Sequence, residues 1–400
     1  MNTTNESSSH ELVTREPLSP QAQAAFPIRF ALGFISLLFR TASEVTRIAG
    51  EIHHVASDRP NPFSRDHKPS IEDAPKLYQL IQLACIHSAN KLQRLNQYIP
   101  DQYSPSTEVT RLQSVMNGIF GDKLHDWSHP SAISMHFLDR HHNPVNLATM
   151  QQEFANGIAI FIHGLCLSEH EWRGKEPEQF MNALEQNGIG SIILRYNTGL
   201  TLAENGETLA QLIQSQWHPQ QNQKIIFFGH SMGGLVARSA IFHSEFKAAY
   251  SWHQDVSHAA YLASPHEGAV MERIGEAANS LLGHSPYTKP LMTFGNIRSR
   301  GIRNLHDSDI HSAQNNTTQP SFNPSIRHLL IGAKLSDPIA RYLLGDGLVD
   351  HKSAMGSRYF PDDHAVVHKM VIENVGHLKL LQDPRLYQSL HQWLGDFTKN

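Results

Sequence analysis

One stretch of this chain restricts its possible folds more than the rest: residues 224–234 read Lys-Ile-Ile-Phe-Phe-Gly-His-Ser-Met-Gly-Gly. The apolar run Ile225–Phe228 enters a Gly-x-Ser-x-Gly pattern, and an apolar helical pattern leaves it. Ser231 is therefore predicted at the apex of a sharp strand-to-helix turn, where Gly229 and Gly233 relieve the crowding on either side. Such a turn holds the serine Oγ clear of the carboxyl edge of a sheet, and the helix N-terminus directs free N–H groups toward it.

After about residue 130, short apolar runs alternate with helical patterns, which predicts βαβ units and a mostly parallel sheet covered on both faces. The predicted strands are Gly157–Ile162, Ser191–Leu194, Ile225–Phe228, Ala259–Leu262, Arg327–Ile331 and Val366–Ile372. The predicted helices are Glu176–Asn187, Leu202–Trp217, Gly233–His243, Glu267–Leu282 and Pro384–Leu394. We therefore expect an α/β domain over residues 126–400, with right-handed crossovers.

The N-terminal part of the chain has a different pattern. Residues 1–24 are rich in Ser, Thr, Asn and Glu, and we expect a disordered tail there. Residues 25–125 are predicted to be all-helical, with helices near 27–55, 70–95 and 107–120. This helical region is either a small bundle packed on the main domain or a cap or membrane-surface element. The amphipathic pattern over residues 27–55 suits a helix that lies in a lipid interface.

Charge and length argue against several classes of function. The net charge of −4 and the pI of about 6.7 do not give the basic field typical of nucleic-acid binding, so no nucleic-acid partner is expected. The apolar run Phe30–Phe39 is too short to cross a bilayer, and the polar start lacks the pattern of a secretory signal. We expect a cytoplasmic protein, with peripheral membrane association through residues 27–55 as an additional hypothesis.

Histidine and cysteine usage gives no metal or disulfide motif. The 27 histidines are scattered and include the pairs His53-His54 and His141-His142, without an HExxH motif or a Cys/His ligand spacing. The two cysteines, Cys85 and Cys166, lie far apart and form no disulfide framework. The sequence therefore predicts neither a metal site nor a cofactor.

A serine hydroxyl becomes a nucleophile when a base takes its proton and a third group orients that base. Both partners are expected downstream of a strand-to-helix serine turn. Asp346, between two glycines in Gly345-Asp346-Gly347-Leu348-Val349-Asp350, is the candidate acid, and Asp350 is its main rival. His377 follows the last predicted strand on a loop at the same sheet edge as Ser231, and it is the candidate base. His364 and His368 lie nearby in sequence.

The oxyanion of a tetrahedral intermediate needs backbone N–H donors. Met232, directly after the serine, supplies one candidate N–H group. The second is predicted at Leu165, in the loop His163-Gly164-Leu165-Cys166 that follows the strand Gly157–Ile162. Gly164 allows close approach of the backbone to a substrate, and Cys166 is expected to be a small buried residue.

These motifs resemble bacterial lipases and related esterase-like α/β hydrolases, including the GPI inositol-deacylase-like group. The matching pieces are His163-Gly164-Leu165, residues 229–234, Ser264-Pro265-His266-Glu267-Gly268, residues 345–349 and Gly376-His377-Leu378. The resemblance covers about residues 155–380 and implies an α/β-hydrolase fold with a Ser231–Asp346–His377 triad. It also implies that His266 borders the active-site cleft without taking part in catalysis. We expect His163, Gly164, His230 and His266 to line the substrate pocket.

The expected reaction is cleavage of a carboxylic, lipid-like ester through an acyl-enzyme intermediate. A phospholipase, an amidase or a polyester depolymerase acting through the same triad is the alternative. A catalytically inactive lipid-binding or scaffold protein is the alternative from another class. Specificity is expected to lie in the helical region and in the loops near residues 166–176, 197–206 and 283–325, because one fold hosts many chemistries.

Overall fold

The structure is a computed structural model. It describes residues 32–33, 35–47, 49–51, 75–97, 107–269, 299–311, 322–335 and 349–395. The chain divides into two compact units, Met1–Pro105 and Ser106–Asn400. The predicted disordered tail at residues 1–24 and the predicted helix start at Ser70 lie outside the described residues.

The described part of the first unit forms two helices with polar contacts between them. The helical residues of α1 are 32–33, 35–47 and 49–51, and α2 spans Lys76–Gln97. The Ser36 hydroxyl donates to the Ala89 carbonyl oxygen at 3.1 Å, and Arg40 donates to the Asn90 side chain at 2.7 Å. These helices agree with the helical patterns predicted near residues 27–55 and 70–95.

Within its described residues, the second unit is built on one eight-stranded sheet, with strand order β2-β1-β4-β3-β5-β6-β7-β8. Strands β3 to β8 pair in parallel, and β1 pairs antiparallel with β2 and β4. The strands are β1 (His136–Asp139), β2 (Pro144–Val145), β3 (Gly157–Ile162), β4 (Ile189–Arg195), β5 (Lys224–His230), β6 (Val256–Leu262), β7 (Arg327–Lys334) and β8 (Val367–Glu373). Each predicted strand is present, and the mostly parallel sheet is confirmed.

The helices of this unit cover the sheet and match most of the predicted segments. They are α3 (Thr107–Asp126), α4 (Leu147–Glu153), α5 (Lys175–Gln186), α6 (Leu202–Gln216), α7 (Met232–Phe246), α8 (Arg300–Asp307), α9 (His351–Met355) and α10 (Pro384–Leu394). Most of the predicted helix 267–282 lies outside the described residues. The predicted loop 283–325 contains α8, and so it is not loop throughout.

The central strands are buried because helices cover both faces of the sheet. All six residues of β3 are buried, and so are six of the seven residues of β5. The register pairs Ile162 at the end of β3 with Gly229 near the end of β5. Strands β4 and β5 flank β3 on opposite sides, so the chain reverses its winding direction there. Ligands in open α/β sheets bind at the carboxyl ends of strands at such a switch point.

Across the part of the chain that the structure describes, no helix is both long enough and apolar enough to span a membrane.

Candidate active site

Ser231 has the backbone conformation that the sequence pattern predicts. It lies between β5 and α7 with φ 55° and ψ −125°, a region that L-residues seldom adopt. Its N–H group donates to the Leu262 carbonyl oxygen at 2.8 Å, and its own carbonyl accepts from Gly234 N at 3.1 Å. These bonds hold the strained turn between strand β6 and the first turn of α7.

The two glycines of the pattern are required by close backbone packing. A Cβ atom on Gly229 would lie 2.4 Å from the Gly234 Cα, and one on Gly233 would lie 2.3 Å from the Ile162 carbonyl oxygen. Neither contact can be relieved by moving a flexible side chain. The sharp turn at Ser231 therefore depends on the absence of side chains at both positions.

The turn after β3 packs directly on Ser231. A Cβ atom placed on Gly164 would lie 2.9 Å from Ser231 Cβ and 3.3 Å from Ser231 Oγ. Leu165 follows in this turn and is half-buried, whereas Met232 is buried as the first residue of α7. The first N–H groups of a helix have no intrahelical acceptor, so the Met232 N–H group stays a candidate oxyanion donor.

The backbone of this turn is fixed by neighbours that the sequence did not reveal. The Tyr196 hydroxyl donates to the His163 carbonyl oxygen at 2.7 Å, and the two rings lie 4.7 Å apart. His163 Nδ1 lies 3.0 Å from the Gly164 carbonyl oxygen. Burial lowers the pKa of His163 to about 4, so this ring is neutral and its Nδ1–H group donates to that carbonyl. His163 therefore supports the turn through its ring and its carbonyl group.

Cys166 links the same turn to helix α3. It is buried with φ 60°, and its N–H group donates to the Thr198 hydroxyl at 3.1 Å. A Cβ atom on Gly118 of α3 would lie 2.2 Å from the Cys166 Sγ, so this helix packs against the turn without an intervening side chain. Burial raises the pKa of Cys166 to about 12, which agrees with the expectation of an unreactive buried residue.

His377 lies against the residue that precedes Ser231. His230 Nε2 is 3.1 Å from the His377 carbonyl oxygen, and the two ring centroids are 4.9 Å apart. Burial lowers the pKa of His230 to about 4. Its neutral ring must therefore carry a proton on Nε2 to donate to this carbonyl. His230 thus fixes the backbone position of the predicted base.

The electrostatic environment of His377 favours its neutral form. The side chain is buried, and burial is the main cause that lowers its pKa well below the usual value of 6.5, with a smaller contribution from His230. A base must be unprotonated to accept a proton from a serine hydroxyl. The structure therefore keeps this imidazole in the form that general-base chemistry needs.

The structure describes Asp350, His364 and His368, the other candidates for the acid and the base, but it does not describe the predicted acid. Asp346 lies outside the described residues. Asp350 is exposed, and its carboxylate accepts from Lys352 N at 3.2 Å as the N-cap of α9. His368 lies near the start of β8, and His364 precedes that strand. Since β8 is parallel to β5, both histidines are at the sheet edge opposite Ser231.

His266 is buried in an aromatic environment. Its ring packs edge-on against Tyr261 at 4.9 Å and against Phe360 at 5.1 Å. Burial lowers its pKa well below 6.5, so the ring is neutral. The predicted position of His266 at the border of the substrate pocket stays a prediction.

The second unit has an α/β-hydrolase fold. Its defining features are the parallel strands β3 to β8, the antiparallel strand β1, and a strained serine between β5 and a helix. Residues 194–289 match the family model of the PGAP1-like alpha/beta domain. This segment includes the serine turn, and the match supports the esterase-like α/β-hydrolase family that the motifs resemble.

Solved structures with a general likeness to the chain include two hydrolases. One is the mature lipase BlEst2 of Bacillus licheniformis, with 18% identity, a TM-score of 0.40, and coverage of 61% of this chain and 93% of that one. Another is an esterase of Pyrococcus furiosus, with 14% identity, a TM-score of 0.39, and coverage of 69% and 94%. The comparison with curated protein sequences gave no significant match.

Proposed function

We propose that the protein is a serine hydrolase that cleaves carboxylic, lipid-like esters through Ser231, Asp346 and His377. The main observation in support is the strained backbone of Ser231, φ 55° and ψ −125°, beside the turn that contains Gly164. A strained non-glycine conformation costs free energy, and it persists where the surrounding structure enforces it. Catalysis gives a functional reason for this strain, because a nucleophilic serine must project from the edge of the sheet.

The proposed reaction has two steps. The neutral His377 imidazole accepts the Ser231 hydroxyl proton as the serine oxygen attacks the ester carbonyl, and the protonated imidazole then delivers that proton to the leaving alcohol. Water then attacks the acyl-enzyme with the same base and releases the acid. Asp346 is proposed to hold the imidazole tautomer and to stabilise the imidazolium.

The oxyanion is proposed to bind to the N–H groups of Met232 and Leu165. The contact between Gly164 and the Ser231 side chain supports this, because it brings the turn after β3 to the attacking oxygen. The hydrogen bonds from Tyr196 to the His163 carbonyl and from Cys166 N–H to Thr198 hold the turn in place before substrate arrives. Preorganised donors of this kind lower a barrier without reorganisation during the reaction.

The position of Asp350 favours Asp346 as the acid. A triad acid orients a buried imidazole, whereas Asp350 is exposed and caps helix α9. The pair Asp346→Asn and Asp350→Asn therefore makes a matched comparison. Likewise, His364→Gln is the control for His377→Gln, because His364 precedes β8 at the opposite sheet edge.

The test is the hydrolysis rate of p-nitrophenyl esters of short and long acyl chains by these variants and by Ser231→Ala. We expect Ser231→Ala and His377→Gln to lose about 10⁴-fold or more in kcat/KM, and Asp346→Asn to lose about 10³–10⁴-fold. Asp350→Asn and His364→Gln should stay within about threefold of wild type. Full activity of Ser231→Ala would refute the nucleophile, and a large loss in Asp350→Asn alone would reassign the acid.

Peripheral membrane association through residues 27–55 is also a proposal. Within the described part of this segment, Ile35, Leu38 and Val45 of α1 are 41%, 36% and 49% exposed. Exposed apolar side chains on an amphipathic helix support interfacial binding. Co-sedimentation with anionic lipid vesicles should fall when these three residues are changed to serine, and unchanged binding would contradict the proposal.

A further inference from the structure

Outside the candidate active site, the structure brings together two imidazoles and one carboxylate from separate parts of the sequence. His142 lies in the turn between β1 and β2, whereas Glu169 and His170 begin the short 3₁₀ helix Glu169–Trp172. One ligand atom from each of these three side chains lies within 4.8 Å of the others. The His142 and His170 rings are 4.5 Å apart, centroid to centroid.

Among the described residues, four polar side-chain atoms of this cluster have no hydrogen-bond partner. Glu169 is 2% exposed and its Oε2 atom is unpartnered, and His170 is 7% exposed with an unpartnered Nδ1 atom. Both ring nitrogens of His142 are also buried without a partner. Buried polar atoms are nearly always satisfied in folded proteins, so several unsatisfied atoms at one place are compatible with a bound ion, a water molecule or another polar group.

We propose that His142, Glu169 and His170 form a binding site for a zinc-class divalent transition-metal ion. Two imidazole nitrogens and one carboxylate oxygen make a donor set that zinc accepts, with water as the fourth ligand. Magnesium and calcium prefer sites made of oxygen ligands and fit this set poorly.

The geometry needs only a modest contraction to hold the ion. Tetrahedral zinc with bonds of about 2.0–2.1 Å places its ligand atoms roughly 3.4 Å apart. The ligand atoms of the three side chains lie up to 4.8 Å apart, so the longest of these distances would shorten by up to about 1.4 Å. Rotation of the side chains can supply such a movement.

Arg195 binds one oxygen atom of the Glu169 carboxylate and leaves the other oxygen atom without a hydrogen bond. Its Nη1 atom donates to Glu169 Oε1 at 2.6 Å, and its Nη2 atom donates to Gln113 at 2.8 Å. The guanidinium therefore fixes the Glu169 carboxylate through Oε1 and leaves Oε2 without a hydrogen bond. Supporting partners of this kind are a regular feature of metal sites. The Arg195 charge balances that of Glu169, so the metal would bind a carboxylate that already has a cationic partner.

His142 has a strained backbone conformation, and hydrogen bonds within its turn hold it in place. Its φ of 66° lies in the left-handed region, which a histidine adopts only at a cost. The Asp139 carboxylate braces the turn by accepting from His141 N and Asn143 N, each at 2.8 Å. The turn thus directs His142 toward the 3₁₀ helix and leaves its neighbour His141 exposed.

A metal ion at this site would have a structural consequence. Glu169 and His170 follow the turn of residues 163–166 that packs on Ser231, and His142 belongs to the hairpin at the edge of the sheet. Binding would tie the hairpin to the segment behind that turn. Because the ion binds the folded state, it would raise the melting temperature with its concentration.

Zinc titration of the full chain after EDTA treatment, monitored with a competing chromophoric chelator, tests the proposal. His142→Gly is the main variant, because glycine adopts φ 66° freely and the turn should keep its fold without the ligand. Glu169→Gln keeps an oxygen for Arg195 and removes the anionic ligand. His141→Ala is the matched control, because it removes an exposed histidine one residue away and corrects for zinc bound at other histidines.

We expect wild type and His141→Ala to bind one tight zinc ion per chain. The affinity for zinc should fall about 10–100-fold in His142→Gly and in Glu169→Gln. The zinc-dependent rise in melting temperature should disappear in both variants. X-ray absorption of the zinc-loaded chain should show two imidazole ligands. The proposal is overturned if wild type binds no zinc tightly, or if His142→Gly binds it as tightly as His141→Ala does.

Discussion

Replacing Ser231 with glycine should stabilise the fold while it removes catalysis. The residue has φ 55° and ψ −125°, the mirror image of an ordinary extended conformation, and glycine adopts it without steric cost. A non-glycine residue in so sparsely populated a region costs about 1–3 kcal/mol. Glycine offsets about 0.5–1 kcal/mol of that gain through the greater freedom of the unfolded chain.

The matched reference is Ser231→Ala, which loses the same hydroxyl and keeps the strained backbone. We expect the unfolding free energy of Ser231→Gly to exceed that of Ser231→Ala by about 1 kcal/mol, which corresponds to about 1–2 °C in melting temperature for a unit of this size. Differential scanning calorimetry measures the difference, and ester hydrolysis checks that both variants are inactive. Equal melting temperatures, or a less stable glycine variant, would refute the claim that the turn holds strain.

Three further predictions concern the turn after β3 and the buried histidines. Gly164→Ala places a Cβ atom 2.9 Å from Ser231 Cβ and should lower kcat about 10²-fold with a smaller effect on stability; an unchanged kcat in ester hydrolysis would show that this contact is not critical. Since His377 acts as a base only when neutral and burial lowers its pKa well below 6.5, kcat/KM should persist as the pH falls through 6.5 and decline only at lower pH. An acid limb near pH 7 in the rate profile would contradict that shift. The pKa values of His163, His230, His258 and His328 are lowered by burial to about 4. The unfolded chain therefore binds more protons between pH 6.5 and 4, and stability should fall by roughly 2 kcal/mol per histidine by pH 5. Denaturant unfolding at pH 8 and pH 5 checks this, and equal midpoints would be evidence against it.

The sequence predicted the parts of the fold whose signals are local. The apolar run Gly157–Ile162 forms strand β3 with the predicted bounds, and α10 matches its predicted range of Pro384–Leu394. A buried parallel strand is a continuous apolar run, and an amphipathic helix repeats every three to four residues, so both can be recognised without a partner. The serine turn was predictable for the same reason, because its glycines and its serine lie within five residues.

Features that depend on distant contacts were missed. Strands β1 and β2 span four and two residues, too few for a period to show, and pairing with β4 stabilises β1. Helix α8 falls inside the predicted loop 283–325. Its position is fixed by long-range bonds, among them the Ser299 hydroxyl to the Gly118 carbonyl oxygen at 2.6 Å.

The supports of the candidate active site were missed for a similar reason. Tyr196 lies 33 positions from the His163 carbonyl that it binds, and no local pattern links the two residues. The proposed metal ligands have the same property. His142 and His170 are separated by the whole of β3 and match no metal-binding motif. Local patterns located the strained turn, but the groups that hold it in place become visible only in three dimensions.

Labelling with a fluorophosphonate probe tests the central claim most directly, since the probe reacts with a serine only where a base and an oxyanion site activate it. Trypsin should release the modified peptide as residues 225–238, in which Ser231 is the only serine. We predict stoichiometric modification of this peptide in the folded protein and none after denaturation or in His377→Gln. A folded wild-type chain in which this peptide stays unmodified would contradict the account.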